Sequence, residues 1–352
     1  MFLSFPLVRL LLLMFVAFGL AMAATPVLTH FLYKYRLWKP KPRDVAPDGR
    51  PAPIVAALAS QQDKGTPRLG GILIWFTVAL TAAIGFIFAQ LNSSWTYWDF
   101  IDRRETWLPI FAIIAAGLVG LTDDLLVVKG RGGYAGGGLA FKWRLVLVGI
   151  IGLIGAWWFT EKLGFSNVFV PFAGNIDIGW LYGPLFFVVL YATFSTGVVD
   201  GLDGLSGGVF STIFFTFAAI AYARGQYDLA AFCAVLLGAS FAYLWFNIPP
   251  ARFYMGETGI LALTVTLTVV AFLTNAVLLL PIAGIILVAE SGSVILQMLS
   301  KKIRGKKVFL SAPLHHHFEA KGWPAYKVTM RFWVVSAVFS MVALLIYLIG
   351  PH

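Results

Sequence analysis

Long apolar runs separated by short polar segments form the pattern of this chain. A helix needs about 20 predominantly apolar residues to cross the hydrocarbon core of a bilayer. Ten runs approach or exceed that length, at roughly 7–30, 70–91, 107–127, 143–160, 180–198, 205–223, 228–246, 258–279, 281–299 and 329–348. The pattern predicts an all-α, polytopic membrane protein of about ten transmembrane helices. We expect residues 1–352 to form a single integral membrane domain.

The composition supports lipid as the solvent. Hydrophobic residues make up 59% of the chain and charged residues only 12%, about half the charged fraction of a soluble protein. The net charge of +10 would suggest nucleic acid as the partner of a soluble protein. Here we expect no nucleic acid partner, because Lys and Arg also accumulate in the cytoplasmic loops of membrane proteins. The single cysteine, Cys233, excludes an intrachain disulfide framework.

The distribution of basic residues predicts the orientation. If the N-terminus lies outside, 21 of the 26 Lys and Arg residues lie in the inner segments or nearer to the inner side than to the outer, as the positive-inside rule requires. These inner segments are 31–69, 128–142, 199–204, 247–257 and 300–328. The first run resembles a secretory signal, but the basic residues after it favour an uncleaved first span. Both termini are then outside, and the segment around "NVFVPFAGNID" is an outer link that could form a hairpin.

Acidic residues collect at the inner ends of the predicted spans. Asp123 and Asp124 end the third span, Asp200 and Asp203 follow the fifth, and Glu257 begins the eighth. Helix capping could account for Asp203 or Glu257 alone. It accounts poorly for Asp123 and Asp124, because two negative charges near a helix C-terminus oppose the helix dipole. A cation or a proton must compensate them, and Mg²⁺ prefers such oxygen ligands.

Two further inner segments suggest anion binding. The segment "DKGTPRLGG" combines Lys64 and Arg68 with glycines that let backbone amides face an anion, which alone is a weak phosphate signal. The segment "PLHHHFEAKGW" has three consecutive histidines after the basic run "SKKIRGKKV". Neighbouring side chains on a helix point about 100° apart, so the three histidines cannot easily bind one metal ion together. Histidines can instead bond phosphate oxygens or transfer protons, although the basic run could also serve attraction to the membrane surface.

Polar residues also lie inside the ninth predicted span, where they are costly in lipid. Glu290 and Gln297 are two helical turns apart and could line one polar face. Hydrogen bonding between helices is the alternative explanation.

The motifs together resemble one known family. The segments "KGTPRLGG", "TDD", "DGLDGL", "WFNIPPARFYMGETG", "ESGSVILQ" and "PLHHHFEAKGW" occur in this order. They are similar to those of the phospho-N-acetylmuramoyl-pentapeptide transferases, within the polyprenyl-phosphate N-acetylhexosamine-1-phosphate transferase superfamily. The histidine segment is the most specific of them, because superfamily members that use other sugars have a different histidine loop.

The resemblance implies a ten-helix enzyme of the bacterial inner (cytoplasmic) membrane, often a homodimer, with an active-site cleft on the cytoplasmic face. Its reaction would join UDP-N-acetylmuramoyl-pentapeptide to undecaprenyl phosphate, with Mg²⁺ as cofactor and UMP as product. The residues implied as catalytic are Asp123, Asp124, Glu257 and His316. Those implied to bind Mg²⁺ are Asp123, Asp124 and Glu257. Those implied to bind substrate are Lys64, Thr66, Asp200, Asp203, Asn247, Tyr254, Gln297, His315 and His317.

Three places depart from the family pattern. The acidic residue of the "GDxGS" motif is here Glu257, and Ile260 follows in place of serine. Val127 stands where a lysine is expected, and "TFSTGVV", which includes Gly197, replaces an asparagine-rich run. A related transferase for another UDP-N-acetylhexosamine and a non-reacting binder of nucleotide-sugar or lipid therefore remain alternatives. A transporter is less consistent with the sequence, because its ionisable residues would lie near the middle of the bilayer.

Overall fold

The computed structural model describes residues 5–38, 65–131 and 137–350 of the chain. Twelve α-helices occur within these ranges, and a 3₁₀ turn, Ser93–Trp98, follows the second of them. The helices are α1 (Phe5–Lys34), α2 (Ile72–Leu91), α3 (Trp107–Val128), α4 (Phe141–Trp157), α5 (Tyr182–Ser195), α6 (Leu205–Ala223), α7 (Tyr227–Asn247), α8 (Gly256–Leu273), α9 (Leu280–Ala283), α10 (Ile285–Arg304), α11 (Leu314–Ala320) and α12 (Ala325–Ile349).

The predicted all-α membrane fold is confirmed. Nine helices in the described ranges are long and apolar enough to span a bilayer, and a bent helix pair, Val277–Ala283 with Ile285–Arg304, would make ten. The two parts of this pair meet at an angle of 80°, so the ninth predicted span is not one straight helix. Gly284 lies at the break, and glycine weakens a helix by about 1 kcal/mol relative to alanine.

Helix α8 forms the centre of the bundle. Every residue of this helix is buried except Glu257, which lies in its first turn. A helix that is apolar on all sides is stable only when other helices surround it. Helices α3 and α5 pack against α8, while α1 packs on α7, and α6 lies between α7 and α12. The polar first turn of α8 therefore meets the ends of the helices around it.

Close packing of α3 on α8 depends on Gly120. A Cβ atom at this position would overlap the carbonyl group of Glu257 and the Cα atom of Thr258. The Thr258 hydroxyl group donates a hydrogen bond to the carbonyl oxygen of Gly117, at 3.0 Å, and accepts one from the Trp75 indole, at 3.1 Å. This contact brings the C-terminal part of α3, which carries Asp123 and Asp124, beside the start of α8.

A small hairpin, which the sequence suggested, lies at the face opposite the one where α3 ends and α8 begins. Strand β1 (Asn167–Val170) pairs with β2 (Gly174–Asp177) in antiparallel register, with Asn167 opposite Asp177. The backbone N–H of Phe169 donates to Asn275 Oδ1 at 3.0 Å, and its ring packs on Tyr347 near the end of α12.

The start of α1 lies at this same face. The Arg9 guanidinium forms an ion pair with Asp228 at 2.7 Å and donates to the carbonyl oxygen of Asp99 at 2.8 Å. Asp228 begins α7, and Asp99 follows the 3₁₀ turn after α2. The start of α1 and the end of α12 therefore lie at the same face of the bundle. This agrees with the expectation that both termini lie on one side.

We expect Gly120→Ala to lower the thermal unfolding midpoint of the protein in detergent. The added methyl group must displace backbone atoms of α8, and such overpacking costs about 1–3 kcal/mol. Gly292→Ala is the matched control, because Gly292 also lies inside a helix and a Cβ atom there meets no atom within 4 Å. Equal midpoints for the two variants would contradict the role of Gly120 in packing.

Candidate functional site

Asp123 and Asp124 lie fully buried in the last two turns of α3. Their side chains point to different neighbours. Asp123 Oδ1 accepts the backbone N–H of Leu139 at 2.7 Å, and Asp124 Oδ2 accepts the backbone N–H of Thr258 at 2.9 Å. Asp124 therefore caps the first turn of α8, where a negative charge is favourable. The sequence had favoured capping for Asp203 or Glu257 and not for this pair, but Asp124 caps a helix other than its own.

Arg144, in the first turns of α4, joins two of the carboxylates. Its Nη2 atom lies 3.0 Å from Asp123 Oδ2, and its Nη1 atom lies 2.7 Å from Glu257 Oε1. The Arg144 side chain is 14% exposed and that of Glu257 is 27% exposed. A planar guanidinium suits such two-point contacts. Arg144 thus supplies the compensating positive charge that the sequence required for Asp123.

Arg68 has the same function for Asp124. Its Nε atom lies 3.1 Å from Asp124 Oδ1. Burial alone would lower the pKa of Arg68, but the charges of Asp124, Glu257 and Asp200 outweigh burial and raise it. The three carboxylates therefore belong to one electrostatic cluster with two arginines. We call Arg68, Asp123, Asp124, Arg144 and Glu257 the carboxylate–arginine cluster, and the face that contains it the inner face.

Asp200 lies next to this cluster, in the turn between α5 and α6. Its Oδ1 atom accepts the Ser206 hydroxyl hydrogen at 2.7 Å. Burial raises the pKa of Asp200 to about 6, and the Ser206 hydrogen bond and the charge of Arg68 oppose part of that rise. A carboxyl group with this pKa can change protonation just below neutral pH.

Asn247 and Asp203 connect the same turn to the segment before α8. Asn247 Oδ1 accepts the N–H of Gly204 at 2.9 Å, and its Nδ2 donates to the carbonyl oxygen of Phe253 at 2.9 Å. Asp203 Oδ2 accepts the N–H of Ala251 at 3.0 Å. The side chain of Asn247 thus organises the backbone of the site. Substrate binding by either side chain stays a prediction.

Backbone hydrogen bonds place Tyr254 beside the segment that contains Thr66. The N–H of Tyr254 donates to the carbonyl oxygen of Pro67, and its carbonyl oxygen accepts the N–H of Gly70, both at 2.8 Å. Tyr254 and Thr66 are half-buried. Lys64, the other substrate-binding candidate of this segment, lies outside the described residues.

The three histidines occupy the short helix α11, and each has a different environment. His315 is fully buried and bonds Glu290 twice: its Nδ1 lies 2.7 Å from Oε2, and its backbone N–H donates to Oε1 at 3.0 Å. Its Nε2 atom is buried, has no hydrogen-bond partner in the described part of the chain and packs against Gly201. A Cβ atom at position 201 would overlap this nitrogen. His315 therefore links α10 to the turn that contains Asp200.

His316 and His317 have other hydrogen-bond partners, although the ring centroids of His315 and His316 are 4.1 Å apart. His316 Nδ1 lies 2.7 Å from Glu319 Oε2, and burial lowers the pKa of His316. His317 Nδ1 accepts the N–H of Leu310 at 3.2 Å. The three imidazoles thus do not converge on one point, as the angular spacing of a helix led us to expect.

Glu290 and Gln297 do not line one open polar face of α10. Both are buried, Glu290 against His315 and Gln297 against the loop that follows α10. Gln297 donates to the carbonyl oxygen of Phe309 at 2.8 Å and accepts the N–H groups of Val308 and Phe309 at 2.9 and 3.0 Å. The alternative explanation, hydrogen bonding between helices, describes Glu290, whereas Gln297 bonds a loop.

Sequence reasoning missed Arg144 and the Glu290–His315 pair. The signal for Arg144 was present, since an arginine stands just inside an apolar span, where an unpaired charge is costly. The pairing of Glu290 with His315 joins residues 25 apart that a break and a loop separate. No periodic pattern predicts such a contact.

Two positions that depart from the family pattern touch each other. The Cα atom of Gly197 faces Ile260, and a Cβ atom at position 197 would lie 2.8 Å from Ile260 Cγ2. A larger side chain at 197 would therefore collide with the isoleucine. The third departure, Val127, is buried against Gly138. These changes form apolar contacts beside Asp123 and Asp200.

The donor chemistry of the cluster fits Mg²⁺, because Asp123, Asp124 and Glu257 offer the carboxylate oxygens that this ion prefers. In the structure the arginines lie on these oxygens. No group of three or more His, Cys, Asp or Glu side chains is arranged as a ready ion site in residues 5–38, 65–131 and 137–350. The residues therefore suit the ion, while their arrangement is that of carboxylates neutralised by guanidinium groups.

Comparisons with known proteins agree with this site. The family model of glycosyl transferase family 4 matches residues 106–275, which include Asp123, Asp124, Asp200 and Glu257. The chain is 32% identical over 301 residues to the phospho-N-acetylmuramoyl-pentapeptide-transferase of Pelagibacter ubique (strain HTCC1062). The alignment covers 80% of this chain and 79% of that protein. The proteins of the same name from Methylacidiphilum infernorum (isolate V4) and Geobacillus thermodenitrificans (strain NG80-2) are 36% and 35% identical. These alignments cover 80% and 81% of this chain, and 78% and 85% of the respective relatives.

We expect Arg144→Gln to destabilise the protein more than Lys142→Gln, a control two residues away at an exposed position. Removing one partner of a buried ion pair costs about 3–5 kcal/mol, and Arg144 contacts two carboxylates. Thermal unfolding in detergent measures the difference. Adding Asp123→Asn to Arg144→Gln should recover part of the loss, because one uncompensated charge is then removed. No recovery in the double variant would contradict the pairing of Asp123 with Arg144.

Asp200 predicts a pH dependence of stability. Its pKa is raised in the folded protein, so the folded state binds this proton more tightly than the unfolded state. The resulting stabilisation is complete below about pH 4, the pKa of an unfolded Asp, and is lost as the pH rises through about 6. We expect the thermal midpoint to fall less over this range for Asp200→Asn than for the unaltered protein. Asp177→Asn, at an exposed hairpin position, is the control, and parallel curves for Asp200→Asn and the unaltered protein would contradict the prediction.

Proposed function

Because the chain belongs to the phospho-N-acetylmuramoyl-pentapeptide transferase family, we propose that it transfers phospho-N-acetylmuramoyl-pentapeptide from the UDP-linked precursor to undecaprenyl phosphate and releases UMP. This is the first membrane step of peptidoglycan synthesis. The observation that carries the proposal is the convergence of Asp123, Asp124 and Glu257 with two arginines at one face of a membrane-spanning bundle.

The substrates determine what the site must do. An oxygen of the lipid phosphate forms a bond to the phosphorus atom that carries the sugar, and the bond from that phosphorus to UMP breaks. Both substrates are anionic, so the site must contain positive charge that offsets their repulsion from its own buried carboxylates. Arg68 and Arg144 supply positive charge at this point, and both guanidinium groups are already oriented by the carboxylates. Preorganised charge of this kind is a main source of phosphoryl-transfer catalysis.

Asp123 is the residue that we assign as proton acceptor for the lipid phosphate. Its Oδ2 atom contacts Arg144, and its Oδ1 atom contacts the Leu139 amide, so its orientation is fixed before substrate binds. His316 is a second group that can accept a proton, since burial lowers its pKa and favours the neutral imidazole. Glu319 fixes the orientation of that ring.

Asp123, Asp124 and Glu257 would hold Mg²⁺ in this proposal. When bound, the ion would neutralise charge on the pyrophosphate. The side chains of Thr66, Asp200, Asp203, Asn247, Tyr254 and Gln297 would surround the nucleotide-sugar. We also propose a bacterial inner membrane location, with the cluster on the cytoplasmic side, and a homodimeric state.

A related transferase that acts on another UDP-N-acetylhexosamine is the second candidate. The contact of Gly197 with Ile260 favours it, because an apolar pair stands beside Asp200 where the family pattern has polar residues.

We expect the purified protein in detergent to release UMP from UDP-N-acetylmuramoyl-pentapeptide when undecaprenyl phosphate and Mg²⁺ are present. Asp123→Asn should lower the rate at least about 100-fold, the usual contribution of a general base, and should leave the fold intact by thermal unfolding. The same assay should stop when EDTA removes the metal. Retained activity of Asp123→Asn would contradict its role.

Two further reactions separate the alternatives. UMP release from UDP-N-acetylglucosamine alone would favour the second candidate. An inactive natural chain that Glu257→Asp activates would identify a site impaired by the longer side chain. Release from neither sugar nucleotide by either protein would refute the proposed function.

A further inference from the structure

A pocket between the inner ends of α1 and α7 lies outside the site described above. Its volume is about 370 Å³, within the range of about 300–1,000 Å³ that is usual for small-molecule sites. We call it the α1–α7 pocket. The residues that line it are Thr25, Pro26, Thr29, His30, Tyr33, Phe246 and Arg252. The first five of these belong to the inner third of α1.

The backbone of Arg252 is held in place at one side of the pocket. Its N–H donates to the carbonyl oxygen of Phe246 at 2.8 Å, and its carbonyl oxygen accepts the Tyr33 hydroxyl hydrogen at 2.9 Å. The exposed guanidinium lies over the Phe246 ring, 5.5 Å from its centroid. Arg252 forms no ion pair with a carboxylate in the part of the chain that the structure describes. Its positive charge is therefore available to an anion at the pocket.

The pocket has a polar side and an apolar side. Arg252 and His30 supply N–H donors at the polar side. The Thr25 and Thr29 hydroxyl groups donate to carbonyl oxygens of α1 itself, at 2.8 and 2.7 Å, so their hydrogens are already engaged. The Phe246 ring belongs to the apolar side. A ligand with an anionic group and an apolar part matches both sides.

The position of the pocket along α1 places it where the bilayer changes from acyl chains to headgroups. Helix α1 has 30 residues, a length of about 45 Å, whereas the hydrocarbon core is about 30 Å thick. Arg9 lies at the outer face, so the last turns of α1 extend into the inner headgroup layer. Tyr33 and Tyr35 are exposed in these turns, at the depth where tyrosine is enriched in membrane proteins. Residues 25–33 span about 12 Å along the helix axis and thus cross the boundary.

The residues next to the lining residues in the chain suit a lipid as the ligand. Val27, Phe31 and Trp245 are exposed apolar side chains, which can contact acyl chains. Lys34 and Arg36 follow at the inner end of α1 and are also exposed. Neither pairs with a carboxylate within residues 5–38, 65–131 and 137–350. The surroundings of the pocket therefore combine apolar surface with an excess of positive charge.

We propose that the α1–α7 pocket binds an anionic glycerophospholipid of the leaflet at the inner face. The lipid phosphate pairs with Arg252 and accepts a hydrogen bond from His30, while the glycerol and the first part of the acyl chains lie along Phe246 and α1. The bound lipid joins α1 to the segment before α8, because Arg252 is five residues from Glu257. This inference does not depend on the transferase reaction.

The test titrates the purified protein in detergent with dioleoylphosphatidylglycerol and measures lipid adducts by native mass spectrometry. Dioleoylphosphatidylcholine, which has the same chains and no net charge, is titrated in parallel. We expect the unaltered protein to bind phosphatidylglycerol more tightly. Arg252→Gln is expected to weaken phosphatidylglycerol binding about fivefold, the effect of about one basic residue at an anionic lipid surface. Its binding of phosphatidylcholine should stay within about twofold of that of the unaltered protein.

The matched control is Arg331→Gln. Arg331 is also exposed, and its guanidinium also lies over an aromatic ring, 4.4 Å from the centroid of Trp323, but it does not line the pocket. This variant should bind phosphatidylglycerol within about twofold of the unaltered protein. Equal weakening by both variants, or equal affinity of the unaltered protein for the two lipids, would overturn the inference and indicate general attraction to the membrane surface.

Two further ligands identify the source of the phosphate. Glycerol 3-phosphate has the anionic group without acyl chains, and undecaprenyl phosphate is the acceptor of the proposed reaction. An equal concentration of glycerol 3-phosphate should not displace phosphatidylglycerol, and Arg252→Gln should leave the binding of undecaprenyl phosphate unchanged. Displacement by glycerol 3-phosphate would indicate a site for soluble phosphates. Weaker binding of undecaprenyl phosphate by Arg252→Gln would assign the pocket to the acceptor, and either result would overturn the inference.

Discussion

Compensation of buried carboxylates by arginine is the interaction on which this site depends. Asp123 and Asp124 are fully buried in a helix that is otherwise apolar, and an uncompensated charge in such a place costs several kcal/mol. Arg68 and Arg144 remove this cost, and they come from segments on either side of α3 along the chain. The cluster therefore ties the start of α2, the end of α3, the start of α4 and the start of α8 together at one face.

The same arrangement relates stability to chemistry. A site that transfers a phosphate-linked sugar must bring anions close to carboxylates, which repel each other unless cations are present. The two arginines offset two of the three negative charges of the cluster, and the proposed Mg²⁺ would add positive charge when the pyrophosphate binds. Glycines allow this geometry. At Gly120 and at Gly256, which has φ +71°, a side chain would overlap Glu257 or Asp124.

The histidine segment illustrates how one short helix can serve several purposes. His315 is buried against Glu290 and Gly201 and links α10 to the turn of Asp200. His316 Nδ1 lies 2.7 Å from Glu319 Oε2, and His317 Nδ1 accepts the N–H of Leu310. The three identical side chains thus have three different sets of hydrogen-bond partners.

The sequence by itself determined that there are about ten spans, that Asp123, Asp124, Asp200, Asp203 and Glu257 lie at one face, and the family, because hydrophobic length and local motifs need no knowledge of distant contacts. The need for a cation or a proton at Asp123 and Asp124 also followed from the helix dipole and the adjacent like charges. Only the tertiary structure decided which cations lie beside these two aspartates, that Glu290 pairs with His315, and that Gly197 touches Ile260. Each of these pairs joins residues far apart in the chain, and their distance depends on how helices cross and where α9 and α10 bend. The spacing of apolar and polar residues along the sequence does not specify those angles.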